Sequence, residues 1–200
     1  MRTKLGAILI GLGILMILGA AGLLLFNQQE SDRVASFSAR VLPVISERAA
    51  AARETAAPPP LVTDPLAPPP EMPTTEIDGR RYTGVFSIPA IGYEVPVFDS
   101  CSESLLKLGA CRFHGSTYSG NLVLCAHNYN RLYSLITRLR PGDAVRFTDM
   151  DGLTWSYEVA DLETLGPNMV TEMNDSGYDL SFFTCTYGGQ ARLTLRCVRN

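Results

Sequence analysis

The chain has 200 residues, of which 46% are hydrophobic and 18% charged, and its formal net charge is -3. With no basic stripe in that balance, a nucleic-acid partner is not expected. Two histidines and five cysteines show no Cys-x-x-Cys or His-x-x-x-His spacing, and no glycine-rich phosphate loop opens a helix, so neither a metal nor another cofactor is expected.

The first element is an uncharged apolar run, Leu5 to Phe26, whose 22 residues are enough to span a bilayer as a helix. Arg2 and Lys4 precede it, whereas Glu30 and Asp32 follow. The positive-inside rule then keeps the N-terminus cytoplasmic and puts the remainder outside, a single-pass protein of the cell membrane. The apolar core of a cleaved signal peptide is only about 7 to 15 residues, so residues 1–30 read as a cytoplasmic tip and an uncleaved anchor. Residues 31–79 read as a stalk with a Pro/Ala-rich linker. Within it, Val34, Phe37, Val41, Val44 and Ile45 recur at near-helical spacing, but Pro43 lies among them and should break or kink a helix. A membrane-proximal stalk is therefore favoured over a short docking helix. Ala56 to Pro73 holds eight of the 13 prolines; such a tract favours extended polyproline II and reaches roughly 55 Å, which makes it a spacer.

Residues 80–200 read as one mostly β domain. Leu153, Trp155, Tyr157 and Val159 alternate with Thr154, Ser156 and Glu158, the pattern of a strand with one buried face. Asp149 and Asp151-Gly152 mark a hairpin into that strand. Helical pieces are predicted at Ser102–Leu108, Arg131–Leu139 and Asn168–Met173. Seven or eight short strands suggest a closed barrel, which removes exposed edges.

Two strand ends carry the chemistry. Asn121 to His127 is an apolar run closed by a histidine, while His114 lies in a loop-like stretch. Asp179 to Cys185 is a second apolar run ending on a cysteine, and Gly188-Gly189 follow as a two-residue hairpin turn whose positions tolerate positive φ. That turn pairs Tyr187 with Gln190, Thr186 with Ala191 and Cys185 with Arg192. Directly opposed residues have Cβ atoms roughly 4.5 to 5.5 Å apart, so the arginine can reach whatever the sulfur attacks. Arg196 would pair with Ser181, roughly 13 Å up the ladder at 3.3 Å per residue, and is the weaker candidate. Cleavage of a peptide bond needs a thiolate, a donor for the leaving amine and positive charge beside the oxyanion, which Cys185, His127 and Arg192 would supply in turn. No third residue stands out to orient His127, because the adjacent Asn128 should point to the opposite face. Cys101 and Cys111 are close enough in sequence for a local bridge, although a wholly reduced chain is equally acceptable. Cys125 shares a face with His127 and Cys197 one with Leu193 and Leu195; both read chiefly as packing residues.

These markers, in order, resemble the sortase family over roughly residues 80 to 200: Phe86-Ser87-Ile88-Pro89-Ala90-Ile91-Gly92, Ala126-His127-Asn128, Arg140-Pro141-Gly142-Asp143, and Ser181-Phe182-Phe183-Thr184-Cys185 with Arg192 behind it. The variant signature is nearest to a class B or D pattern. The resemblance implies a closed eight-stranded barrel and a cysteine transpeptidase, with Cys185 as nucleophile, His127 as general acid/base, Arg192 holding substrate and oxyanion, and Thr184 and Asn128 as substrate-binding residues. It further implies a surface protein with a C-terminal sorting signal as one partner and an amine of peptidoglycan or pilin as the other. Residues 161–178 would wall the substrate groove. A cell-surface cysteine peptidase, a pilin-polymerising enzyme and a non-enzymatic β-barrel interaction module remain as alternatives.

Overall fold

A computed structural model describes residues 2–55, 70–129, 132–186 and 188–200. One helix, α1, runs from Arg2 to Thr55. The strands that follow are β1 Thr75–Ile77, β2 Arg80–Ile88, β3 Tyr93–Phe98, β4 Ala110–His114, β5 Leu122–Ala126, β6 Ala144–Asp149, β7 Thr154–Leu165, β8 Leu180–Cys185 and β9 Arg192–Arg199. Short helices α2 Glu103–Leu106, α3 Leu132–Ile136 and α4 Val170–Asn174 sit in their connections, at each of the three predicted places. The strands hydrogen-bond in the order β1-β2-β3-β4-β5-β8-β9-β7-β6, and β6 returns to β2, so eight of them close a ring. β1 is the ninth, laid along residues 80–82 of β2 ahead of the stretch that β6 occupies.

The inner face of that ring is the main core. Phe86, Phe147, Tyr157, Phe182 and Leu195 are all fully buried in it, with Phe86 and Phe182 ring centroids 4.7 Å apart. Every residue of β5 is buried. Leu122, Leu124 and Ala126 face the core, whereas Val123 packs outward against Leu165 and Met173, and Cys125 outward into a cluster with α1. A strand covered on both faces reads as a continuous apolar run, which is why residues 121–127 show no alternation. β7 has one exposed face and keeps the predicted alternation, with Tyr157 and Val159 buried between exposed Ser156 and Glu158.

The stretch from 31 to 55 departs from the stalk expectation. It continues α1 and lies on the barrel, burying Val34, Phe37, Val41, Ile45 and Ala49 along one stripe. Phe37, Val41, Ile45 and Ala49 share a cluster with Tyr82, Val85, Phe98, Cys111, Cys125 and Met150. Arg48 donates from Nη1 to the Glu76 carbonyl at 2.7 Å and to Thr75 Oγ1 at 3.0 Å, tying the helix to β1. Magnitudes explain why Pro43 does not win: an interior proline costs a helix about 3 kcal/mol. Burying a Phe, Val or Ile side chain stabilises by about 1.5–3 kcal/mol each, and this stripe buries several. Val44, one residue off the stripe, stays exposed. Of the proline tract, residues 56–69 lie outside the described residues; its end is not a free spacer, since Met72 is buried in the main core.

The β6–β7 hairpin is built around Asp149. Its buried carboxylate accepts from Asp151 N at 3.0 Å, Leu153 N at 2.9 Å and Trp155 Nε1 at 2.9 Å. Burial pushes its pKa upward, and those donors oppose the rise. Gly152 completes the turn at φ +73, and a Cβ there would lie 2.3 Å from the Ala49 carbonyl oxygen, so α1 docks against bare backbone. Gly152→Val is expected to lift the end of α1 from the barrel and lower stability by about 2–4 kcal/mol, from positive-φ strain added to overpacking. Thermal unfolding checks the loss, and hydrogen exchange confined first to residues 41–55 checks its location.

Candidate active site

Three neighbouring strands deliver three side chains to one place. β5 and β8 are parallel, in the register Leu122↔Leu180 to Ala126↔Thr184. One residue further on, His127 stands level with Cys185, and because parallel strands end at the same rim, both emerge there. β9 runs antiparallel to β8 with Cys185 opposite Arg192 and Ser181 opposite Arg196, the register computed from the Gly-Gly turn. Its Tyr187–Gln190 pair lies outside the described residues, but Thr186 N bonds to the Ala191 carbonyl at 2.9 Å. Gly188 and Gly189 have φ of +84 and +73, as the turn requires.

Alternation then selects the face. Phe182 and Thr184 point into the barrel, so Cys185 points out; Leu193 and Leu195 point in, so Arg192 points out. His127, two residues after outward-facing Cys125, shares that outer face. Cys185, His127 and Arg192 line one cavity of about 270 Å³, closed on one side by Cys101, Glu103 and Leu106 and on the other by Gly166, Pro167, Met169, Val170 and Met173. The segment 161–178 does supply a wall.

Within the cavity His127 is three-quarters buried and its Nε2 lies 3.3 Å from Glu103 Oε1 on α2. Its ring meets Tyr129 edge-on at 5.2 Å. Arg192 donates from Nη1 to the carbonyls of Gly189 and Ala191 at 3.0 and 3.2 Å, which leaves Nε and Nη2 without a hydrogen bond among the described residues. A second cavity of about 350 Å³ lies between α1 and the barrel and shares Ala126, His127 and Leu106 with the first, so His127 stands between the two.

Arg196 has a structural post. Fully buried on the outer face of β9, it donates to Glu163 Oε1 at 2.5 Å, Ser181 Oγ at 2.7 Å and the carbonyls of Glu172 and Met173 at 2.7 and 3.3 Å. Those last two acceptors belong to α4, so Arg196 pins the wall of the cavity to the barrel. Arg196→Leu would take the donor from Ser181 Oγ and from the Glu172 and Met173 carbonyls, while Glu163, more than a third exposed, would turn to solvent; a loss of about 2–4 kcal/mol is expected, read by denaturant unfolding.

Sequence reasoning put two further residues at the site. Thr184 is fully buried, turned into the barrel, and its hydroxyl has no hydrogen-bond partner among the described residues; its side chain is directed away from the cavity. Asn128 does not line the cavity either: its Oδ1 accepts from Tyr133 N at 2.8 Å and holds the loop after His127 onto α3. His114 ends β4 on a different cavity, beside Arg112 and Ser116. Glu103 was missed, because a carboxylate 24 residues before the histidine carries no spacing signal; only the crossover from β3 to β4 brings α2 over the end of β5. All five cysteines are free thiols.

A thiol, an imidazole and a guanidinium on one cavity wall are the groups that acyl transfer through sulfur requires. Comparison with known proteins points the same way. The family model of the sortase domain matches residues 86–200. Sortase A of Bacillus anthracis is 28% identical over 121 residues, 58% of this chain and 57% of that protein, so the match spans a little over half the relative's length. Among solved structures, sortase C1 of Streptococcus agalactiae superposes with a TM-score of 0.53 at 26% identity, over 62% of this chain and 70% of that one. Sortase C1 of Streptococcus suis does so at 0.52 and 27%, over 60% and 73%.

Proposed function

The chain belongs to the sortase family, and from that membership we propose that it is a membrane-anchored cysteine transpeptidase whose nucleophile is Cys185. In this reading the Cys185 thiolate attacks the carbonyl carbon of a peptide bond in the C-terminal sorting signal of a surface protein. An S–C bond forms and the carbonyl oxygen becomes an oxyanion, which Arg192 faces with the free edge of its guanidinium. His127 gives its proton to the leaving amine as the C–N bond breaks, leaving a thioacyl-enzyme. An amine of the cell wall then attacks that carbonyl, losing its proton to His127; the new amide forms and the thiolate departs. Thr184 and Asn128 serve by holding the strand under Cys185 and the loop after His127, rather than by touching substrate. Glu103, in contact with His127 Nε2, orients the ring for both proton transfers.

One observation carries the proposal. The registers of β5, β8 and β9 set His127, Cys185 and Arg192 side by side on one outer face, around a cavity deep enough for a peptide side chain. The anchor is α1, whose residues from Ile8 to Phe26 expose large apolar side chains over a length sufficient to cross a membrane; Arg2 and Lys4 set its N-terminus inside and the barrel outside. A pilin lysine as acceptor is a second reading, separated from the first by the choice of amine in the test below.

The test uses the full-length chain in detergent with a panel of sorting-signal peptides and, as amines, triglycine, diaminopimelate and a lysine-bearing pilin peptide. Mass spectrometry should find a thioacyl adduct on Cys185 that added amine resolves into a transpeptidation product. Release by water alone, whichever amine is present, would identify a peptidase. No adduct from a folded protein with a free Cys185 would sink the enzymatic reading.

A further inference from the structure

The mechanism leaves three thiols beside Cys185 without a task. Cys111 on β4 and Cys125 on β5 are cross-strand partners, both buried. Cys101, in the loop after β3, is exposed above them, with its Sγ 3.5 Å from Cys125 Sγ. Packing accounts for a buried cysteine. It does not account for an exposed one held in contact with a buried thiol at the mouth of a cavity that also holds His127 and Cys185. Hydrogen bonds from the thiols of Cys111 and Cys125, helped by nearby His127, pull the Cys101 pKa well below the ordinary thiol range, while the two buried thiols are pushed up. Charge thus settles on the accessible sulfur, and protonated thiols wait behind it. That is the arrangement of a peroxide-reactive cysteine with its resolving partner.

We propose that Cys101 and Cys125 form a redox pair that peroxide closes into a disulfide, shutting the adjacent acyl-transfer site until a thiol reductant reopens it. The Cys101 thiolate attacks one peroxide oxygen; the O–O bond breaks, hydroxide leaves and takes up a proton as the first water, and Cys101 becomes a sulfenic acid. Cys125 sulfur then attacks Cys101 sulfur, forming the S–S bond as the S–O bond breaks, and the oxygen departs as a second water with the Cys125 proton. Two thiols are oxidised and one peroxide is reduced to two waters. The sulfurs must close from 3.5 Å to a bond of about 2.05 Å. Cys125 is fixed in a strand covered on both faces, so the movement falls on the loop that carries Cys101. Glu103, two residues along and bonded to His127, moves with it.

The effect on activity rests on the function proposed above; the linkage itself does not. Full-length protein in detergent, reduced and then treated with graded hydrogen peroxide, is blocked with N-ethylmaleimide and digested, both as wild type and as Cys185→Ala, where oxidation of the nucleophile cannot interfere. A peptide pair joined through Cys101 and Cys125, lighter by two hydrogens and released by dithiothreitol, is expected in both. Linked wild type should transfer acyl groups roughly 10²-fold more slowly, the scale of a 1 Å misplacement in a catalytic site, and recover on reduction. Cys101→Ser should form no link. Full alkylation of Cys101 after peroxide, its oxidation without a partner, or a bridge to Cys111 would overturn the pair; a quantitative link that leaves the transfer rate unchanged would overturn the switch. A protein that forms the link but acylates with no peptide would retain the redox pair and instead lose the transpeptidase reading.

Discussion

Cys185→Ala is expected to abolish amine transfer, with a loss of at least about 10³-fold and no thioacyl adduct, because the variant lacks the proposed nucleophile. Of the neighbouring thiols, Cys101 and Cys125 line the same cavity, but it is Cys185 that stands across from Arg192. They are therefore poor substitutes, and residual activity in the variant would have to come from one of them. Stability should barely change, since Cys185 is only half-buried at the rim and its removal leaves no filled core position empty. Thermal unfolding of the variant close to that of wild type, beside a transfer rate at background, is the expected pair of results. A variant that keeps a substantial part of the rate would displace Cys185 from the nucleophile's role.

Arg192→Lys is the second large effect: a fall in kcat of about 10²–10³-fold, the usual result of removing an oxyanion donor, with a smaller change in KM. Lysine keeps the charge but lacks the planar fork, whose Nη1 is committed to the turn carbonyls while Nε and Nη2 make no hydrogen bond among the described residues. The turn bonds of Arg192 and the oxyanion role proposed for it predict a particular signature. Loss of the turn bonds should cost about 1–2 kcal/mol in unfolding, and loss of the donor should appear in kcat. If the Arg192→Lys variant matched the wild-type kcat while its stability fell, Arg192 would be a turn residue and the oxyanion would need another partner. Arg196 offers none: it is buried under α4 and its guanidinium is bonded to Glu163, Ser181 and the Glu172 carbonyl.

How much of the site could be read in advance follows from where its parts lie in sequence. The Cys185–Arg192 pairing was computable because two glycines force a tight turn and a tight turn fixes register. His127 was legible as a strand end, but its place beside Cys185 depends on the parallel pairing of β5 with β8, strands far apart in the chain, for which no local signal exists. The same is true of the face: alternation gives two faces, and only the closed ring decides which one is inside. Thr184 was assigned to substrate contact as the neighbour of Cys185 in the signature, and the period of two turns that neighbour into the core.

Local physics by itself determined the long apolar N-terminal helix, the short-strand domain, the three short helices and the Cys185–Arg192 hairpin, since each rests on spacing between near neighbours in the chain. Tertiary structure alone decided the rest. It laid residues 31–55 on the barrel despite Pro43, because the buried stripe outweighs one missing helical hydrogen bond, and the value of that stripe exists only once Tyr82, Phe98 and Met150 are gathered opposite it. It brought Glu103 to His127 and Cys101 to Cys125 through a crossover that no periodicity marks. It also gave Arg196 to α4 rather than to the cavity, because the partners of a buried charge are chosen by which chain segments the fold stacks above it.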